Sequence, residues 1–106
     1  MGKFQIKQMA DGQYYFHLKA VNGEIILRSE GYTSQQGCMN GIDSVKRNSL
    51  NDRNYVKNKS LNREHYFYLK AQNGEIIALS EMYSSKKNME NGIKSVKENA
   101  PSAPIN

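Results

Sequence analysis

Sliding the 106-residue chain along itself by 51 positions lays residues 15–48 over residues 66–99 without a gap, and 21 of the 34 paired positions are identical. AVNGEII at 20–26 returns as AQNGEII at 71–77, and Tyr15, Phe16, Leu18, Ser29, Tyr32, Gly41, Ile42 and Val45 each have an identical counterpart 51 residues on. Two copies cannot make a solenoid, which takes about three repeats to stabilise itself. A unit of roughly 50 residues also buries too little surface to stand alone. The repeat therefore predicts one domain over residues 1–106, made of two units at about 1–50 and 51–100 packed around a pseudo-two-fold axis. This is the geometry of a homodimer held within one chain, and a monomer is expected.

One copy reads as three strands and a helix. Asn-Gly between alternating apolar residues is a strong hairpin signal, because a two-residue type I′ turn needs positive φ at both central positions. A turn at Asn22-Gly23 pairs Ala20 with Ile25, Leu18 with Leu27 and Phe16 with Ser29 on one face. Lys19 with Ile26, His17 with Arg28 and Tyr15 with Glu30 then share the other face. In the second copy that face carries Lys70 with Ile77, Tyr68 with Leu79 and Tyr66 with Glu81. An earlier strand at residues 4–8 brings Phe4 and Ile6 to the core face if Ala10-Asp11-Gly12 is a three-residue loop with a left-handed glycine. Tyr55 stands for Phe4 in the second copy but Lys57 stands for Ile6, which makes that strand weaker.

Thr33-Ser34 and Ser84-Ser85 supply helix N-caps. Cys38, Ile42 and Val45 recur at helical spacing, as do Met89, Ile93 and Val96. Gly41 and Gly92 flank those stripes and predict a close approach of helix to sheet. Residues 101–106 carry both prolines and read as a loose tail. The expected class is α+β: two tandem β-β-β-α repeats forming one mainly antiparallel sheet with both helices packed on one face.

Residues 16–49, FHLKAVNGEIILRSEGYTSQQGCMNGIDSVKRNS, and residues 67–100, FYLKAQNGEIIALSEMYSSKKNMENGIKSVKENA, resemble the YegP-like family of small bacterial proteins. The shared pattern is F-x-L-K-A-x-N-G-x-I-I-x-x-S-x-x-Y-x-S, followed by a helix with G-I-x-S-V-K-x-N. The resemblance covers nearly the whole chain and implies β-β-β-α units whose strands join one sheet, with strand exchange between units left open. This chain would be the duplicated form. The family is catalogued as uncharacterised, so the resemblance implies no activity and no catalytic residues.

The residues themselves give little sign of chemistry. His17 and His65 have no histidine counterpart in the other copy, and a zinc site needs a cluster of ligands. Cys38, the only cysteine, replaces Met89 in an apolar stripe and reads as core rather than nucleophile. Glycines occur singly, without a phosphate-binding loop. No catalytic residue, metal site or cofactor is predicted, and no enzyme is expected. No apolar run is long enough to cross a membrane, the N-terminal MGKFQIKQM lacks an apolar signal region, and the expected location is the cytoplasm.

Two surfaces stand out for binding a partner, either protein or nucleic acid. The sheet face away from the helices keeps Tyr15, Lys19, Ile26 and Glu30 identical to Tyr66, Lys70, Ile77 and Glu81, while the helix faces diverge. This shared face is the leading candidate for a non-enzymatic binding or accessory module. The second surface is the basic segment 46–63, where Lys46, Arg47, Arg53, Lys57, Lys59 and Arg63 face a single acid, Asp52, and include one aromatic, Tyr55. Together they could follow a phosphate backbone and stack on a base without sequence preference.

Overall fold

The structure, a computed structural model, describes residues 2–106. Strands β1 (Lys3–Gln8), β2 (Tyr14–Lys19) and β3 (Ile25–Ser29) precede helix α1 (Gln35–Asn48). A short 3-10 turn at Asp52–Asn54 leads into β4 (Tyr55–Lys59), β5 (His65–Lys70), β6 (Ile76–Leu79) and helix α2 (Lys86–Asn99). The six strands form one sheet in the order β1-β2-β3-β6-β5-β4, antiparallel throughout. The halves meet at β3 and β6, where Arg28 pairs with Leu79. These two residues are exchanged by the repeat shift, so the pseudo-two-fold axis passes between them. The α+β class and the order of elements match the reading of the sequence.

The two Asn-Gly turns do not. Gly23 N–H donates to Ala20 O, Ala20 N–H donates to Glu24 O, and only the glycine has positive φ, at 88°. Each Asn-Gly therefore sits in a three-residue loop, a type I turn closed by a left-handed glycine, not in a two-residue type I′ turn. Asn22 Oδ1 accepts from Glu24 N–H at 3.0 Å and holds the loop, as Asn73 does with Glu75. The extra residue pairs Lys19 with Ile25, not with Ile26. A bulge between Leu18 and Lys19 then restores Leu18 to Leu27 and His17 to Arg28, the expected partners. Ile26 is the residue left over.

That bulge overturns one expectation for the open face. Ile26 and Ile77 do not lie there; both turn into the core and are 5% and 6% exposed. The second copy has the same bulge between Leu69 and Lys70. Burial decides the register, because two isoleucines turned inward each contribute about 1.5–3 kcal/mol. Tyr15 and Glu30 are not ladder partners either. β3 ends at Ser29, whose hydroxyl takes the Phe16 N–H at 2.9 Å, and pairing resumes at Tyr14 with Tyr32.

The first strands pair as expected, with Phe4 opposite Leu18 and Ile6 opposite Phe16. The corresponding Tyr55–Leu69 and Lys57–Phe67 pairs form in the second half. Ser34 and Ser85 cap the helices, each hydroxyl accepting a backbone N–H at 3.0 Å. Cys38, Ile42, Val45, Met89, Ile93 and Val96 face a core built on Phe16, Leu18, Leu27, Phe67 and Leu69. The helix glycines have a more specific role than sheet proximity. Gly41 and Gly92 make room for the rings of Tyr32 and Tyr83. Those rings stack on Phe16 and Phe67, both at 6.4 Å between centroids.

The C-terminal segment is not loose. Phe4 N–H donates to Pro104 O at 2.8 Å, and Asn106 N–H donates to Phe4 O at 2.7 Å. Ile105 thereby adds a parallel bridge to the outer edge of β1, and Ala100 and Ala103 are buried. Ile6, Met39 and Ile105 line one cavity along that edge. At the opposite edge, where no tail arrives, Lys57 and Glu90 occupy the positions equivalent to Ile6 and Met39 and form an ion pair at 2.8 Å. An apolar pair under a covering segment has become a charged pair facing water. The lysines at this edge also discourage pairing with another strand.

Candidate functional site: the open sheet face

Residues alternate across the pleat, so β1 presents Lys3, Gln5 and Lys7 on the face away from the core residues Phe4 and Ile6. β2 adds Tyr15, His17 and Lys19, and β3 adds Arg28. From the other half come Val56, Tyr66, Tyr68, Lys70 and Leu79. One row crosses all six strands: Gln5, His17, Arg28, Leu79, Tyr68 and Val56. The repeat shift maps Gln5 onto Val56, His17 onto Tyr68 and Arg28 onto Leu79. The backbone is thus two-fold while the chemistry is not: one end of the row is polar and basic, the other apolar and aromatic.

The charge distribution is one-sided. None of the six strands contains an Asp or Glu. Lys3 lies directly opposite Lys19, an arrangement that costs stability when nothing negative lies between the two ammonium groups. Among the described residues the ion pairs are Lys57–Glu90, which joins β4 to α2, and Lys97–Asp52, which joins α2 to the 3-10 turn before β4, and both lie on the helix side. Lys3, Lys7, Lys19, Arg28 and Lys70 take part in neither. His17 senses the excess: its pKa is lowered first by burial, then by Arg28, Lys7 and Lys19. Glu30 and Glu81 are exposed just beyond the ends of β3 and β6.

Of the expected face residues, Tyr15, Lys19, Tyr66 and Lys70 are brought together on the open side. Sequence reasoning paired His17 with Arg28 on this face without choosing either as a site residue, and it missed Lys3, Lys7 and the burial of His17. It compared the two copies for identity, and these four positions differ between them. The signal that could have found them was the absence of acidic residues from every strand.

The basic segment 46–63 is not a continuous strip. Lys46 lies over the Phe4 ring at 5.7 Å, on the β1 edge, while Lys57 and Lys59 are on β4 at the opposite edge. Five strand spacings separate those edges, about 24 Å. Arg47 faces the Ala71–Asn73 turn region instead. Arg53 is exposed in the 3-10 turn, and Arg63 sits in the β4–β5 loop. Tyr55 cannot stack on a base. It is 8% exposed, its hydroxyl donates to Ser49 O at 2.6 Å, and its ring lies under Lys97.

Cys38 is enclosed in the core, where burial pushes its thiol pKa up. Among the described residues no group of three or more His, Cys, Asp or Glu could hold a metal ion. No helix of the described chain is long and apolar enough to cross a membrane.

Comparison with known proteins places this geometry in a defined group. The model for "Domain of unknown function (DUF1508)" matches twice, at residues 10–55 and 61–106. Each match starts in the loop before β2 or β5, and the two ends are again related by the repeat shift. The UPF0339 protein YegP of Yersinia pestis is 47% identical over 105 residues, spanning 99% of this chain and 94% of that protein. A UPF0339 protein in the ptx operon 5′ region of Stutzerimonas stutzeri is 41% identical over 104 residues, covering 98% of this chain and 94% of its own. The solution NMR structure of a UPF0339 protein from Shewanella oneidensis matches with a TM-score of 0.93 at 47% identity, covering 98% of this chain and 88% of that one. That of yegP, a protein of unknown function from E. coli, gives 0.93 at 44% identity, covering 98% and 90%.

Proposed function

The chain belongs to the DUF1508 family as a two-repeat member, and we propose that it is a non-enzymatic binding module whose open sheet face holds single-stranded nucleic acid. One observation carries this reading. Six strands without a carboxylate place five cations on a single face, with Lys3 opposite Lys19. Such a face is at odds with its own stability and suited to a polyanion. The aromatic side chains give the choice among polyanions. Tyr15, Tyr66 and Tyr68 offer flat rings beside the cations, and bases stack on such rings with little regard to sequence. Phosphates belong on the Lys3, Lys7, Lys19 and Arg28 half, and bases on the Tyr66, Tyr68 and Leu79 half.

Fluorescence anisotropy with labelled ten-nucleotide DNA and RNA single strands tests the reading. Affinity should fall as salt rises, with a log–log slope of about −0.7 per phosphate neutralised. Lys19→Glu should weaken binding by about tenfold, whereas Lys59→Glu, on the helix side, should not. Binding that ignores salt, or that Lys59→Glu weakens as much as Lys19→Glu, would remove the open face from consideration.

A further inference from the structure

Three buried polar atoms of the open face have no hydrogen-bond partner among the described residues: Gln5 Oε1 and both ring nitrogens of His17. They form one cluster, because Gln5 and His17 are direct cross-strand neighbours. Buried polar groups nearly always find a partner, and leaving one unpaired is costly. The second copy avoids the cost by placing Val56 and Tyr68 at these positions. His17 is 6% exposed although its strand turns it toward the solvent side. The groups facing it are Lys7 from β1, Tyr15 and Lys19 from β2, and Arg28 from β3; the Tyr15 ring is 5.3 Å away. Lysine and arginine stems can lie over a ring and swing aside from it.

We propose that this cluster is a phosphate-monoester subsite, in which the anion sits among Lys7, Lys19 and Arg28 and accepts hydrogen bonds from His17 and from the Gln5 carboxamide. The proposal rests on the reading of the open face as a nucleic-acid surface and makes it more specific: the subsite takes the terminal phosphate of a strand. An internal phosphodiester brings one charge and two free oxygens, whereas a terminal monoester brings nearly two charges and three acceptor oxygens. Three cations, an imidazole and a carboxamide that no hydrogen bond holds in place match the second ligand. Without the anion, burial and then Arg28, Lys7 and Lys19 hold the imidazole below its ordinary pKa and so disfavour its charged form. A dianion reverses the local charge balance, the imidazole takes up a proton, and both ring nitrogens become donors. Leu79, Tyr68 and Val56 occupy the symmetry-related positions, so each chain has one such subsite despite its duplicated backbone.

The test follows the His17 ring signals by NMR through a pH titration in chloride, with and without inorganic phosphate. Phosphate should raise the His17 pKa by about one pH unit, the shift that corresponds to tenfold tighter binding to the protonated ring. The His65 ring should not respond to phosphate, and Arg28→Gln should abolish the His17 response. A 5′-phosphorylated single strand should then bind more tightly than its 5′-hydroxyl counterpart. If single strands bind while phosphate leaves His17 unmoved, the subsite is wrong and the nucleic-acid reading stands. If phosphate raises the His17 pKa but no single strand binds more tightly than free phosphate, the subsite stands and the nucleic-acid reading fails.

Discussion

Gly41 of α1 lies against the phenol of Tyr32 so closely that a Cβ at Gly41 would overlap the ring, and Gly92 repeats the relationship with Tyr83. Helix propensity alone would favour alanine at both sites by about 1 kcal/mol. The tyrosine rings cannot retreat, because each stacks on a buried phenylalanine. Gly41→Ala is therefore expected to lose about 1–3 kcal/mol in urea unfolding, as overpacked cores do. Combining it with Tyr32→Ala should cost less than the sum of the two single changes. Strict additivity would mean that the glycine is present for another reason.

The β4–β5 loop contains a second local conflict. Arg63 has φ of 64°, and Arg63 N–H donates to Ser60 O as Gly12, Gly23 and Gly74 do in their own loops. It occupies a left-handed position where the other three hairpins use glycine. An L-residue there costs about 1–2 kcal/mol, partly offset by the greater freedom glycine has when unfolded. Arg63→Gly should raise stability by up to about 1 kcal/mol, read as a higher denaturation midpoint with the slope unchanged. Gly23→Ala should shift it the other way.

These loops also show what could be read from the sequence and what could not. The repeat, the strand and helix order, the Phe4–Leu18 register and the serine caps follow from local signals that agree with one another. Asn22-Gly23 was ambiguous, because a two-residue and a three-residue loop use the same dipeptide. The choice between them depends on Ile26, which reaches the core only if a second irregularity follows the turn. That is a packing decision made across the sheet. The C-terminal segment was missed for a related reason: its hydrogen bonds go to Phe4, at the far end of the chain. On the open face, identity between copies pointed to Tyr15, Lys19, Tyr66 and Lys70, whereas the polarity of the site comes from positions where the copies differ.

Docking of the tail gives a third prediction. Removing residues 104–106 takes two backbone hydrogen bonds from Phe4 and uncovers the edge beside Ile6 and Met39. At about 0.5–1.5 kcal/mol for each bond, the loss should be roughly 1–3 kcal/mol. Amide exchange offers a more local measure. The Phe4 N–H should be protected in the full chain and exchange much faster after truncation, while the Leu18 amide keeps its protection. Equal Phe4 exchange in both chains would show that the tail does not engage β1 in solution.

The acid limb of stability should be traceable to His17. Its folded pKa is depressed by burial and then by Arg28, Lys7 and Lys19, whereas the unfolded chain carries an ordinary histidine near about 6.5. Just below that value the unfolded state binds more protons than the folded one, so stability rises with pH across the window. The contribution is complete above about pH 6.5 and is lost as pH falls through the folded His17 value. Asp52 contributes a separate loss at lower pH, because its hydrogen bond to Lys97 holds its carboxyl below the usual range. Urea midpoints measured in chloride buffers from about pH 7.5 down to about pH 5 should therefore fall for the native chain and stay nearly level for His17→Tyr, which installs the residue found in the second copy. A native midpoint that does not change over this window would mean that the imidazole is not held neutral. Saturating phosphate should flatten the native slope at its acid end, because the bound anion favours the imidazolium that burial and the three neighbouring cations otherwise resist.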